Sequence, residues 1–351
     1  MQRAGGTLQW GLVALVMALA AARTGGAQIA MPGWTPGEGA FLPGNLWVGG
    51  DLNFGAEVPE HEPAVVELDH LSLLARWDPT SRLGFFTELR LEEPYHFIEG
   101  EGGSSGDLRL SVERLYAEIL VTPEITLRLG QVFTPFGLWN PVHRAPLTWT
   151  VEEPAIDDGT FPTESTGLAL LHRTTWEGWS FDSTLYGPTQ DEINTKTTAE
   201  RGWIVGGRFA AGRAVGSTFG TLGIDASSYR PRRNGTWTTA AGVDAEWSIG
   251  GHQVMSEVSV FVPSGPGRTA HGAYLQDAIP VAPFIPMARD LYGVVRIEYY
   301  QPPTGPTGVG GLLGVFWRPR PWVVLRADYL FANHTFEELQ PGLHASISLL
   351  F

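Results

Sequence analysis

Two groups of charged residues have the types and positions for electrostatic work. Glu152, Glu153, Asp157 and Asp158 crowd one stretch that also holds His143 and Arg144, while Arg90, Arg109 and Arg128 fall on three successive segments. Acids and arginines opposed across a narrow water-filled passage would set up a transverse field, orienting dipolar solutes and discriminating ions by charge. The same charges could instead pair across neighbouring strands and simply fill a polar interior. Either way, other elements must carry these side chains to one enclosed space.

The pattern of the chain says those elements are strands. In "RLGFFTELRLE" (82–92), Leu83, Phe85, Leu89 and Leu91 share one face and Glu88, Arg90 and Glu92 the other. Similar alternation recurs at 125–129, 179–186, 237–247, 292–300 and 322–331, and no stretch beyond the first thirty residues reads as an amphipathic helix. Period two over segments this long marks antiparallel strands with one apolar face. Sixteen strands are predicted, beginning with 45–56, 64–77, 82–92, 107–121 and 124–132 and ending with 342–351.

A β-sandwich turns the apolar faces inward, whereas a transmembrane barrel turns them toward lipid and keeps a polar interior. Three features favour the barrel. Short connections ("DPTS", "TPE", "WEG", "GG", "RPRP") alternate with long ones at 92–106, 133–164, 188–201 and 332–341, although 280–289 breaks the rule. Trp77, Trp179, Trp203, Trp237, Trp247, Trp317 and Trp322 fall near strand ends, as interfacial aromatic girdles do. The last segment, "LHASISLLF", alternates back from Phe351 through Leu349 and Ile347, resembling the signal read by the outer-membrane assembly machinery. The expected fold class is therefore all-β: a transmembrane antiparallel β-barrel of about 16 strands over 45–351. Its third external loop, pattern-free from Phe133, is expected to fold into the lumen, with Trp139 and Trp149 as anchors.

A base facing lipid near the midplane costs about 2–4 kcal/mol, so strand charges are assigned inward. That places the acids Asp51, Glu67, Asp69, Glu88 and Glu118 on the lumen wall, with Glu92, Glu113, Asp182, Asp225, Asp244, Glu246, Glu257, Glu298 and Asp328. Arg90, Arg109 and Arg128 form a prospective basic ladder, joined by Arg208, Arg296 and Arg326. Acids outnumber bases, which predicts a cation-leaning pore.

The N-terminus, with Arg3, the apolar run "WGLVALVMALAAA" and the small residues Gly25, Gly26 and Ala27, predicts a cleaved secretory signal over 1–27. Residues 28–44 would form a short periplasmic segment, too short for a plug domain. An exported chain of this size with no cysteine closes its fold without disulfides. Net charge is -14, and removing Arg3 and Arg23 makes the balance more acidic, which argues against nucleic acid as a partner.

Two stretches carry a family likeness. "LRLGQVFTPFGLW" (127–139) resembles the glycine-glutamine, proline-phenylalanine-glycine segment of the phosphate-selective porin O/P-like family of Gram-negative outer-membrane porins. "LYGVVRIEYYQPPTG" followed by "GVFWRPRPWVVLRADYLF" resembles that family's C-terminal strands. The resemblance implies a sixteen-stranded barrel, commonly a homotrimer. The chain departs from the family where selectivity lives: its single lysine, Lys196, lies in a different loop from the family's lysine-rich constriction.

The expected function is a passive outer-membrane channel for small polar or charged solutes, embedded in outer-membrane lipid. An anion- or phosphate-selective channel, another substrate-specific channel, and a structural or adhesive barrel without an open pore are the alternatives. No enzyme is expected: there is no phosphate-cradling loop, no nucleophile elbow and no metalloprotease helix, and Pro63 follows His61-Glu62. The nine histidines show no ligand spacing, so neither cofactor nor metal is expected.

Overall fold

The computed structural model describes residues 34–35, 37–60, 62–104, 108–142, 145–157, 161–188, 201–231, 236–333 and 340–351. The expected signal peptide, residues 28–33 and 36, and His143, Arg144, Asp158 and Lys196 lie outside the described residues.

Sixteen long strands form the wall. They are β1 (Leu46–Pro59), β2 (Val65–Thr80), β3 (Leu83–Ile98), β4 (Arg109–Leu120), β5 (Ile125–Phe133), β6 (Glu164–Trp176), β7 (Trp179–Pro188) and β8 (Arg201–Val215). They continue as β9 (Thr218–Pro231), β10 (Thr238–Ile249), β11 (His252–Pro263), β12 (Ala270–Pro280), β13 (Leu291–Gln301), β14 (Gly308–Arg320), β15 (Val323–Ala332) and β16 (Gly342–Leu350). Each pairs antiparallel with its neighbours in sequence, and β16 pairs with β1, which closes the sheet and leaves no free edge.

Neighbouring residues show which face is which. Arg296 is 1% exposed and Ile297 61%; Asp225 is buried while Leu222 and Ile224 are exposed. Polar side chains point in and apolar ones out, the inverse of a soluble β-protein and the arrangement of a wall solvated by lipid. Trp77, Trp179, Trp203, Trp237, Trp247 and Trp322 are exposed near strand ends, as girdle residues. Among the described residues no helix is long and apolar enough to cross a bilayer. The crossing elements are strands.

Three extra residues near the start of the wall change which side chains face inward. Asp69 on β2 is unpaired between Leu68 and His70, so Asp69 and His70 both reach the interior. Glu93 on β3, at φ 46, bends that strand, which continues to Ile98 with Tyr95 and Phe97 outward. On β4, Glu88 faces Arg114 and Leu89 faces Val112, leaving Glu113 as the extra residue. Each bulge shifts the period-two pattern by one, which explains why β3 outruns the expected end at 92 and why Arg114 joins the inner face.

The seam closes tightly. Leu349 and Ile347 lie opposite Leu52 and Phe54, and Phe351 exchanges two backbone hydrogen bonds with Gly50 at 2.8 and 2.9 Å. The Phe351 ring occupies the space that a Cβ on Gly50 would need.

Candidate constriction formed by the long loop

The segment joining β5 to β6 leaves the wall at Phe133, where Thr134 N–H donates to Thr163 O at 2.8 Å. Asn140 Nδ2 ties the two limbs together, donating to Thr134 O at 2.6 Å and Thr163 O at 3.1 Å. Just before this exit, Gln131 is buried and donates to Val112 O at 2.5 Å and Glu113 O at 3.3 Å. Those are the carbonyls of the β4 bulge, whose ladder bonds are disrupted. The glutamine of the "GQ" pair thus satisfies the wall where the loop departs.

The "PFG" residues then set the loop's path. Phe136 is buried, with its ring centroid 4.3 Å from Phe161 and 5.9 Å from Phe261 on β11, and Phe161 meets Tyr229 edge-on at 5.5 Å. Gly137 has φ +65, a left-handed conformation that glycine adopts freely, and a Cβ there would overlap the Glu257 carboxylate. That approach lets Leu138 N–H donate to Glu257 Oε2 at 3.0 Å. Trp149 anchors the far limb, its ring 4.9 Å from Tyr292 and 4.8 Å from Phe316.

Between these apolar anchors, charged residues of the inner wall satisfy the loop backbone. Ala155 N–H donates to Glu298 Oε2 at 2.9 Å, and Val151 N–H donates to Asp328. Arg296 donates to the carbonyls of Glu152 at 2.8 Å and Glu153 at 3.0 Å, and its Nε to Glu298 Oε1 at 3.2 Å. Arg326 donates to Thr150 O at 3.0 Å and to the Thr148 hydroxyl. A loop buried against a wall must find partners for its peptide groups, and these side chains supply them. Arg296, Arg326, Glu257, Glu298 and Asp328 do face inward, as their period-two positions assign them. The loop covers them there; periodicity assigns a face and not what covers it.

The loop's own acids separate in role. The Glu152 carboxylate lies 2.8 Å from His344 Nδ1 on β16. Asp157 is buried, and that burial, with the nearby Glu257 and Glu153 carboxylates, pushes its acid well above the ordinary aspartate range.

The strands β1–β5 carry the other expected charges. Arg128 bonds Glu118 at 2.7 Å, Glu118 also accepts from Arg76 at 3.1 Å, and Arg109 pairs with Glu93 at 3.2 Å. Arg90 lies level with Ser111 near the start of β4, whereas Arg128 lies level with Glu118 near its end. Arg109 opens β4 two residues from the level of Arg90, so these two lie toward one end of the wall and Arg128 toward the other. Sequence reasoning missed Arg114, which pairs with the buried Glu88 at 2.6 Å and stacks over Phe86 and Phe133 at 4.7 and 4.8 Å. It also missed His70, held between Asp51 at 3.0 Å and Asp69 at 2.8 Å. Glu67 approaches Gly55 across the β1–β2 pair.

Similarity to known proteins follows the architecture. No family model matches the chain. An uncharacterized protein of Aquifex aeolicus (strain VF5) is 32% identical over 106 residues, which is 30% of this chain and 23% of that protein. The chain thus spans under a quarter of the length of the curated relative it matches. Among solved structures, a loop L8 deletion mutant of OmpT, an outer membrane protein of Vibrio cholerae, superposes with a TM-score of 0.60 at 12% identity, covering 87% of this chain and 99% of that one. In-vitro folded OmpT of the same organism, in trimer form, gives 0.56 at 11%, covering 87% and 98%. An anion-selective porin from Comamonas acidovorans gives 0.57 at 13%, covering 87% and 99%. Identities this low establish the fold alone. That fold is the closed sixteen-stranded antiparallel barrel of these outer-membrane proteins, here with an apolar exterior.

Proposed function

We propose that this barrel is a passive diffusion channel for small polar or charged solutes, narrowed by the 134–163 loop and leaning toward cations. The observation that carries the reading is the one-sided docking of the loop. Its described contacts run to β9–β16 and meet β1 at Glu57, and Arg296 and Arg326 are consumed beneath it. Side chains on the β1–β5 wall stay accessible, including Asp69 at 40% and Arg128 at 31%. Arg109, Arg114 and Arg128 each pair with an acid (Glu93, Glu88 and Glu118), whereas among the described residues Glu57, Glu67, Asp69 and Glu152 have no arginine within salt-bridge distance of their carboxylates. A passage lined this way favours cations.

The resemblance to phosphate-selective porins supports the competing reading, an anion channel. Arg114 stacked on Phe86 and Phe133, and Arg128 stacked on Tyr116 at 4.8 Å, are rigidly held cations that could serve it. A homotrimer is the proposed assembly, by analogy with the trimer form of OmpT. Export would use the 1–27 segment, and Phe351, Leu349 and Ile347 would present the assembly signal.

The test is reconstitution of the refolded protein into planar bilayers. Stable conductance steps support the channel, and an electrically silent, correctly folded barrel refutes it in favour of a structural or adhesive role.

A further inference from the structure

One cluster of side chains is not explained by loop docking. Glu57 on β1 lies directly across the seam from His344 on β16, and Glu152 descends onto the pair from the loop. A carboxylate oxygen of Glu57, a carboxylate oxygen of Glu152 and a ring nitrogen of His344 all lie within 4.8 Å of one another. Two carboxylates converging on a single imidazole leave local negative charge even if the ring is protonated.

The histidine is oriented for ligation. Its Nε2 lies 3.3 Å from the carbonyl oxygen of Gln340, a hydrogen bond only if Nε2 carries the proton. That tautomer leaves a lone pair on Nδ1. The ring is 2% exposed, and Nδ1, although 2.8 Å from Glu152 Oε1, lacks the alignment of a hydrogen bond. A buried ring nitrogen close to two carboxylates, its other nitrogen within reach of a backbone carbonyl, is the second-shell arrangement typical of metal-binding histidines.

We propose that Glu57, Glu152 and His344 form a binding site for a divalent transition cation of the zinc class. One nitrogen and two oxygens suit Zn²⁺, which binds such atoms at about 2.0–2.2 Å and completes a tetrahedron with water. A calcium-type ion would call for six to eight oxygens, about twice the ligands available here. The three residues come from the first strand, the last strand and the inserted loop. The ion would therefore staple the loop to the seam where the barrel closes. Glu152, with 26% of its side chain exposed, gives the site access to solvent. Metal ligands so far apart in the chain form no sequence motif.

The experiment is a titration of the refolded, chelator-treated full chain in detergent with ZnCl2, followed by calorimetry, and with CoCl2, followed by visible absorption. One tight equivalent per chain is expected, with Co²⁺ giving the intense visible bands of a tetrahedral nitrogen–oxygen site. Glu152→Gln should weaken zinc binding at least about tenfold, the lower bound seen even for second-shell changes, while retaining every histidine and heat-modifiable migration. Glu57→Gln, which leaves the loop untouched, should do the same. Absence of a stoichiometric equivalent in the wild-type protein overturns the site. So does unchanged binding in both folded variants, which would place the metal elsewhere. If Glu152→Gln fails to fold, Glu57→Gln decides the question.

Discussion

The guanidinium of Arg296 donates to the carbonyl oxygen of Glu152 at 2.8 Å, joining the inner wall of β13 to the middle of the inserted loop. Arg296 also pairs with Glu298 on its own strand, and Glu298 in turn accepts from Ala155 N–H. The wall charges beneath the loop thus hold its backbone in place.

Arg296→Met should therefore free the loop without unfolding the barrel. Removing one partner of a buried pair typically costs about 3–5 kcal/mol, because the other charge is left uncompensated. Here the cost falls on loop docking, since the strand ladder is untouched. Larger, noisier conductance steps and faster proteolytic cutting within 134–163 are expected, with wild-type migration on unboiled gels. Unchanged conductance would mean that the loop does not set the bore.

Gly137→Ala should weaken the same docking by a different route. A left-handed φ costs an L-residue about 1–2 kcal/mol, and the added methyl also collides with Glu257. Proteolysis of the loop should accelerate, though less than in Arg296→Met. Equal resistance to protease in Gly137→Ala and wild type would show that this turn is not needed for docking.

Arg128→Ala should be close to silent in stability. Its pair with Glu118 is partly exposed, and such pairs contribute about 0–1 kcal/mol. Its effect should appear in ion preference, because a base is removed from the accessible wall. Cation preference should increase while thermal stability holds; a large loss of stability would show the pair to be structural.

Loop docking should also depend on pH through Asp157. Its acid is raised in the folded state, first by burial and then by neighbouring carboxylates. The folded protein therefore favours the protonated form. Docking is strongest below the ordinary aspartate range, weakens as pH climbs from there toward the raised value, and levels off above it. Asp157→Asn should remove this dependence, so its loop should resist protease better than wild type at pH 8 and about equally at pH 3. A variant less resistant than wild type at pH 8 would contradict the assignment.

Much of the wall was legible in the sequence because period two survives in a strand whatever it packs against. The segments 82–92, 107–121 and 342–351 match β3, β4 and β16 within a few residues, apart from the extension of β3. The departures occur at Asp69, Glu93 and Glu113, where one inserted residue inverts the alternation and no residue type announces it. Hence Arg114 was assigned to no face, although it neutralises Glu88. The loop's exit at Phe133 was visible as a loss of pattern, and Trp149, expected as an anchor, packs on Tyr292 and Phe316. Its partners were not, since Arg296 and Arg326 carry the same periodic signal whether they face water or a loop backbone. Glu57 and His344 are neighbours only because the first strand meets the last, a relationship that lies in the closure of the sheet.

The proposed channel is a water-filled passage, narrowed by the docked loop, whose accessible charge is net acidic. The most direct test is the reversal potential of single channels in a planar bilayer under a KCl gradient at neutral pH. A reversal potential of the sign set by K⁺ is predicted, moving further in that direction in Arg128→Ala. A reversal potential of the sign set by Cl⁻ would contradict the account and assign selectivity to the stacked arginines of β4 and β5.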